Sequence, residues 1–136
     1  DRGAEYDDVV VDVRNELAEQ VAVFLAVGVR PAQIILDPGL GFSKNAEDNW
    51  PLLARMHEVA DGFPILIGAS RKRFIGALLA DPVTGPPAPL VRDGATAAVS
   101  ALSARAGAWA VRVHDVASSL TAVQVGTAWR NAEDNQ

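Results

Sequence analysis

Three apolar runs in this chain end in polar side chains that could bind or transform a ligand. The first ends at Asp37, the second runs into Ser-Arg-Lys-Arg at positions 70–73, and the third carries Arg112 and His114. Helical patterns separate the runs, which predicts parallel strands whose polar ends share one edge of a sheet. Parallel α/β folds bind their ligands at that edge. We therefore expect a binding or catalytic site where the three runs end.

Asp37 ends an Ile-Ile-Leu run and precedes Pro-Gly-Leu-Gly. The glycines permit positive φ angles and the close approach of a ligand. A carboxylate at a strand end could accept hydrogen bonds from two adjacent N–H groups of a heterocycle. Taken alone, the motif favours the alternative, an aspartate that caps its own Pro-Gly turn.

The segment 70–73 places three consecutive cations directly after an apolar run. Such a segment is either a solvated surface turn or, at the start of a helix, an anion site. Its position on the edge where the loops converge favours the anion site.

Arg112 and His114 are two residues apart, so on a strand they project to the same face, opposite Val111 and Val113. A guanidinium held there needs an anion or a carboxylate as its partner. We favour an anion site over an ion pair with Asp115. A metal site has less support, because the other histidine lies in a helical pattern and no second ligand has suitable spacing.

Charge and composition exclude several classes of partner. The net charge of −5 argues against nucleic acid and anionic membranes. The absence of cysteine excludes disulfides and thiolate metal sites and fits a cytoplasmic protein. No apolar stretch approaches the roughly 20 residues of a membrane-spanning helix. The chain starts within a polar segment, residues 1–8, as a piece of a longer protein would.

Hydrophobic periodicity places helices between and after the three predicted strands. The first helix covers residues 9–25. The second is capped by Asn45 or Asn49 and ends at Asp61-Gly62. The others cover residues 74–79, residues 94–106 with Asp93 as cap, and a segment around residues 120–129 before a frayed tail. The small side chains of 94–106 allow the backbone of this helix to approach a neighbouring element closely. We favour a helix packed on the sheet over a specific docking face, although the two are compatible. The order and size predict an α/β fold, the C-terminal half of a (β/α)8 barrel, with a small doubly wound sheet as the alternative.

In this order, the three motifs closely resemble those of the C-terminal half of dihydropteroate synthases, in a form similar to that of actinobacteria. The matching segments are Asp37-Pro-Gly-Leu-Gly-Phe42, Ser70-Arg-Lys-Arg-Phe-Ile-Gly76 and Arg112-Val-His-Asp-Val116. The resemblance implies one partial pterin-binding TIM-barrel domain over residues 1–136, with no second domain. It also implies a transferase of folate biosynthesis, the target of sulfonamides. The family condenses 6-hydroxymethyl-7,8-dihydropterin diphosphate with 4-aminobenzoate, giving 7,8-dihydropteroate and diphosphate.

The resemblance implies a role for each residue of the pterin and diphosphate sites. Asp37 would hold the amino and ring N–H groups of the pterin, and Lys72 would also bond to the pterin. Arg112 would lie against the ring and face the diphosphate. His114 would bind the departing diphosphate, and Val113 would contribute only its backbone. The residues expected to act in catalysis are Lys72, Arg112 and His114.

By the same resemblance, Phe42, Ser70 and Arg73 would line the 4-aminobenzoate pocket. Some family members carry a serine at the position of Arg73, whose hydroxyl meets the aminobenzoate carboxylate. Here the guanidinium or the backbone N–H of Arg73 would replace it.

The resemblance further implies a magnesium ion, a homodimer and a cytoplasmic location. The magnesium ligand is expected on earlier strands of the barrel, so no metal ligand is expected in this segment, and the 136-residue chain alone is expected to be inactive. Two other functions remain open. One is a non-catalytic paralogue that acts as an accessory or binding protein. The other is a pterin-binding barrel that transfers methyl groups to a corrinoid, but it would have no diphosphate for the cationic turn to bind.

Overall fold

The structure is a computed structural model that describes residues 7–42 and 44–135. Most of the polar segment predicted at the start therefore lies outside the described residues. The elements are α1 Val9–Ala26, α2 Asn49–Ala54, α3 Met56–Ala60, β1 Leu66–Ile67, α4 Arg73–Leu78, α5 Asp93–Arg105, β2 Ala110–Val111 and α6 Val116–Asp134. Within this part of the chain, no helix is long and apolar enough to cross a membrane.

The strands form a short parallel ladder in the predicted order. β1 pairs with β2, with Leu66 opposite Ala110, and a parallel bridge joins Leu36 to Ile65 on the other side of β1. The strand predicted for the Ile-Ile-Leu run that ends at Asp37 is wrong in extent, because Leu36 alone of that run is bridged. The 3-10 turn Pro31–Gln33 precedes it and a tight turn follows it, so the backbone is extended too briefly for a longer ladder.

The hydrophobic core lies between the ladder and helices α1 to α4. Its fully buried members include Val10, Leu40, Leu52, Val59, Ile67 and Ile75. The predicted second helix is interrupted at Arg55, whose side chain bonds to Asp8 and Glu58. Asp8 also caps α1 by accepting a hydrogen bond from the N–H of Val10 at 3.0 Å. This packing buries Ile67 of β1 in the core, one residue before the segment that leads to the second polar strand end.

The small-residue helix α5 packs mainly on α6 and makes few contacts with the sheet. Ala95 and Val99 of α5 pack against the core cluster that contains Ile65 and Ile67, so α5 has the expected core-facing side, but its larger contact is with α6. Gly126 of α6 approaches the backbone of Ala101, and the hydroxyl oxygens of Ser100 and Ser119 are 3.2 Å apart. The small side chains at these positions let the backbones of α5 and α6 come close together. The predicted frayed tail is helical as far as Asp134.

Candidate functional site

The polar ends of the three runs meet at one edge of the ladder, as the geometry of parallel strands predicts. Arg112 Nη2 lies 3.6 Å from Asp37 Oδ2. Ser70 Oγ lies 2.8 Å from His114 Nδ1. Residues that are 44 and more positions apart in sequence thus form one site.

Asp37 uses its two carboxylate oxygens differently. Oδ1 accepts a hydrogen bond from the N–H of Gly39 at 2.9 Å, which is the turn cap that the motif alone favours. Oδ2 faces Arg112, and the Asp37 side chain is 41% exposed. The turn therefore fixes the carboxylate while leaving Oδ2 accessible to the N–H donors of a ligand.

Arg112 lies across Gly68, at the end of β1. A Cβ at Gly68 would lie only 2.5 Å from Arg112 Nη2 and 3.2 Å from its Cζ, so the absence of a side chain lets the guanidinium rest on the strand. Arg112 is 61% exposed, and its contact with Asp37 is loose at 3.6 Å. Asp115, the alternative partner considered from sequence, instead caps α6 by accepting from the N–H of Ser118 at 3.3 Å. The guanidinium is therefore accessible to an anion.

Lys72 is held between two loops of the site. Its ammonium donates to the carbonyl of Leu40 and lies 4.0 Å from the centroid of the Phe42 ring, a cation–π contact. Gly41, with φ +75, leaves room for the Lys72 stem, since a Cβ there would lie 2.7 Å from Cδ. Burial lowers the pKa of Lys72 below its usual value, and the charge of Arg112 acts in the same direction.

Ser70 is directed at His114. The buried hydroxyl accepts a hydrogen bond from the backbone N–H of His114 at 3.1 Å and also contacts the ring. Its predicted place in the aminobenzoate pocket stays a prediction.

The remaining predicted residues surround this centre. Arg73 is exposed at the start of α4 and lines a polar cavity of about 280 Å³ with Lys44 and Asn49. Phe42 is 63% exposed. Val113 is half-buried between Arg112 and His114. Among residues 7–42 and 44–135, no group of three or more His, Cys, Asp or Glu side chains could hold a metal ion.

Arg71 was expected only as one of the three consecutive cations of segment 70–73. In the structure its side chain anchors this cationic turn. It adopts a left-handed conformation with φ 58, which is uncommon for a residue with a side chain. Its guanidinium makes two hydrogen bonds of 2.8 Å to Asp93, and its N–H donates to Thr96 Oγ1 at 3.2 Å. The prediction that Asp93 caps α5 is therefore wrong, because Arg71 occupies its carboxylate.

Arg92 is a second residue that the sequence did not single out. Its side chain is buried, and it donates to the carbonyls of Arg71 at 2.9 Å, Lys72 at 3.4 Å and Pro87 at 2.8 Å. A Cβ at Gly76 would lie 2.7 Å from Arg92 Cζ, so the glycine makes room for it. The only sequence signal was an Arg-Asp pair directly before a helix.

The pair between Arg71 and Asp93 predicts a specific contribution to acid stability. The hydrogen bonds from Arg71 hold the pKa of Asp93 below its ordinary value. Its contribution is therefore complete above the unfolded-state value of roughly 3.9 and is lost as pH falls through the lower folded value. Asp93→Asn should weaken the decline of the thermal midpoint below about pH 4. The matched control is Asp12→Asn on α1, and equal slopes in both variants would contradict the prediction.

The sequence matches the family of pterin binding enzymes over residues 1–114. It is 51% identical over 128 residues to the dihydropteroate synthase of Mycobacterium leprae, covering 93% of this chain and 45% of the relative. It is 39% identical over 132 residues to the dihydropteroate synthase of Escherichia coli K12, covering 96% of this chain and 45% of the relative. The chain thus spans somewhat less than half the length of these relatives.

Solved structures give the same result for the fold. The dihydropteroate synthase of Xanthomonas albilineans in complex with 7,8-dihydropteroate superposes with a TM-score of 0.85 at 38% identity, over 94% of this chain and 47% of that one. A Yersinia pestis dihydropteroate synthase with a pterine-sulfa conjugate gives a TM-score of 0.86 at 32% identity, over 95% and 48%. The α/β prediction, with parallel strands that form about half of a TIM barrel, is confirmed.

Proposed function

Since the chain belongs to the pterin binding enzyme family, we propose that the full-length protein is a dihydropteroate synthase, a transferase of folate biosynthesis. One observation carries the proposal: a carboxylate, a guanidinium, an ammonium and an imidazole from three strand ends converge at one edge. The relatives of known structure include complexes with 7,8-dihydropteroate and with 4-aminobenzoic acid. For this protein we propose dihydropterin diphosphate and 4-aminobenzoate as the two substrates and 7,8-dihydropteroate as the product.

Each side chain has a role that suits its chemistry. Asp37 Oδ2, left accessible by the turn, accepts N–H bonds from the pterin, while Lys72 closes the pocket over the ring. Arg112, which is loosely paired, turns its exposed guanidinium to the diphosphate. His114 donates a hydrogen bond to the same leaving group.

In the proposed reaction, the C–O bond to the diphosphate breaks and leaves a cation delocalised over the dihydropterin. The aniline nitrogen of 4-aminobenzoate attacks that carbon and then loses a proton. The protein contributes mainly stabilisation of the leaving-group charge and positioning of the two rings. Phe42, Ser70 and Arg73 are proposed to border the aminobenzoate, with Arg73 the cation for its carboxylate, and the backbone of Val113 spans the diphosphate site.

Three further properties are part of the proposal. A magnesium ion would accompany the diphosphate, but the described residues do not fit it, because no cluster of ligands occurs among them; we expect its protein ligand outside this chain and assign no step to it. A homodimer is proposed because α5 and α6 expose large apolar side chains, namely Leu102, Leu120, Val125 and Trp129. A cytoplasmic location fits a sequence without cysteine.

Arg112→Ala tests the diphosphate site. Removing a charge-assisted contact should raise the Kd for dihydropterin diphosphate by about ten- to a hundredfold. The Kd for hydroxymethyldihydropterin without diphosphate should rise much less, because it retains the contact to Asp37. Isothermal titration calorimetry of the full-length protein measures both values.

Arg105→Ala is the matched control, because Arg105 is an exposed arginine at the C-terminal end of α5 that pairs with Glu133 of α6. Equal losses of affinity for the two pterins in Arg112→Ala would contradict the anion site. If the wild-type protein binds pterin diphosphate but never releases diphosphate with 4-aminobenzoate present, it is a binding paralogue and not a synthase.

A further inference from the structure

We propose that Ser70 is a positioning residue that holds the His114 imidazole in the tautomer with its proton on Nε2. The inference concerns the hydrogen bond between the two side chains. It rests on the proposed function only for the identity of the ligand that Nε2–H meets.

Ser70 makes two contacts with the same residue. Its Oγ lies 3.1 Å from the backbone nitrogen of His114 and 2.8 Å from Nδ1 of the ring. The residue is 6% exposed, so its hydroxyl is largely shielded from water. Both contacts join the turn that follows β1 to the segment that follows β2, which places the ring against the turn that carries Ser70.

The donors and acceptors available to Ser70 and His114 decide which of the two donates the hydrogen bond between Oγ and Nδ1. A serine hydroxyl has one proton and two lone pairs, and a backbone N–H can only donate. The His114 N–H therefore occupies one lone pair of Ser70. If Nδ1–H donated to the second lone pair, the hydroxyl proton would need another acceptor, and within residues 7–42 and 44–135 Ser70 Oγ has hydrogen bonds only to His114.

An unused buried O–H carries a desolvation penalty. Donation from the Ser70 hydroxyl into the lone pair of Nδ1 satisfies every group in the pair. The proton of the neutral imidazole then lies on Nε2, the nitrogen turned away from Ser70.

The turn that carries Ser70 is held from outside the site. Arg92 donates to the carbonyls of Arg71 and Lys72, and the Arg71 side chain pairs with Asp93. Ser70 follows Ala69, which is also buried. The hydroxyl is therefore held in place, and it orients the more exposed histidine.

The consequence for the site is a fixed hydrogen-bond donor. His114 offers Nε2–H to an anion without first taking up a second proton. With Arg112 two residues earlier on the same segment, the edge presents a guanidinium and a neutral imidazole donor side by side. That pair suits phosphate oxygens, as the proposed function requires.

Nitrogen-15 NMR of the histidine side chains in the full-length protein tests the tautomer directly. In long-range proton–nitrogen spectra the protonated and unprotonated ring nitrogens have distinct shifts, and the signal that disappears in His114→Gln identifies the residue. A pH titration followed in these spectra identifies the pH range in which the His114 ring is neutral. In that range we expect the ring proton on Nε2. A wild-type ring with its proton on Nδ1 would overturn the inference, whether or not any variant folds.

Ser70→Ala should shift the ratio of the two tautomers toward Nδ1–H by about fivefold, the equivalent of one ordinary hydrogen bond. It should also weaken binding of inorganic diphosphate by a similar factor. Ser70→Thr, which keeps the hydroxyl, should restore the wild-type nitrogen spectrum. The control Ser103→Ala removes a buried hydroxyl that has no hydrogen-bond partner among the described residues and should leave the ring unchanged.

The outcomes separate this inference from the proposed function. An Nε2–H ring in a protein that does not bind dihydropterin diphosphate supports the role of Ser70 and rejects the synthase. Synthase activity with an unchanged tautomer ratio in Ser70→Ala supports the function and rejects the role of Ser70.

Discussion

Arg92→Met is expected to lower dihydropteroate formation by the full-length protein by roughly ten- to a hundredfold, the range that follows from misplacing a catalytic group by about an ångström. It should also destabilise the fold by about 3 kcal/mol. The physical reason is that one buried guanidinium satisfies the carbonyls of Arg71, Lys72 and Pro87. Methionine fills a similar volume but donates no hydrogen bond. The carbonyls of Arg71 and Pro87 then lose the guanidinium, the carbonyl of Lys72 keeps only the N–H of Gly76 at 3.3 Å, and the turn loses its support.

Steady-state kinetics and urea unfolding measure the two effects of Arg92→Met. The matched control is Arg105→Met, since the Arg105–Glu133 pair is exposed, with side-chain exposures of 49% and 44%. Its loss should change stability by less than about 1 kcal/mol. Arg92→Lys should not restore the wild type, because one ammonium lacks the fork geometry that reaches several carbonyls. If Arg92→Met and Arg105→Met behave alike, the turn is not held by Arg92.

Gly126→Ala is expected to have the largest effect on stability of any single methyl added to α6. A Cβ at Gly126 would penetrate the carbonyl oxygen of Ala101 and lie 2.9 Å from its carbonyl carbon. Backbone atoms in the middle of α5 cannot rotate aside, so the two helices must separate. Overpacking of this kind costs about 1–3 kcal/mol and occasionally more, and we expect the upper end of that range.

The control for Gly126→Ala is Gly94→Ala, a second helical glycine whose added Cβ would meet no atom within 4 Å. Because alanine favours helix more than glycine does, the control should be neutral or more stable by up to about 1 kcal/mol. Thermal and urea unfolding of the full-length variants give the comparison. Equal stabilities for the two variants would show that α5 and α6 can move apart freely.

The sequence predicted the order of the elements and the place of the site. Apolar runs that alternate with helical patterns predict parallel strands, and the ends of parallel strands converge. Asp37, Ser70, Arg112 and His114 were therefore expected near one another, and the structure places them together. The extent of the first strand could not be predicted, because pairing limited to Leu36 depends on the turns that flank it.

The role of an aspartate at the start of a helix also could not be predicted from its neighbours in sequence alone. Asp8 and Asp115 cap their helices as aspartates commonly do. Asp93 is also an aspartate at the start of a helix, but its carboxylate bonds to Arg71 instead of capping α5. The difference lies in a partner 22 residues earlier in the chain, which no pattern around Asp93 reveals.

The sequence by itself determined which chemical groups this protein gathers, because the residue types and the order of the apolar runs along the chain can be read directly from it. Only the tertiary structure decided which group each one faces. Arg112 meets Asp37 and not Asp115, Ser70 meets His114, and Arg92 holds the turn between them. Each of these contacts joins residues that lie 20 or more positions apart in the chain, and the turn between Ser70 and Lys72 has a left-handed backbone at Arg71. Hydrogen bonds act over about 3 Å, so the choice of partner follows from the packing of the whole fold.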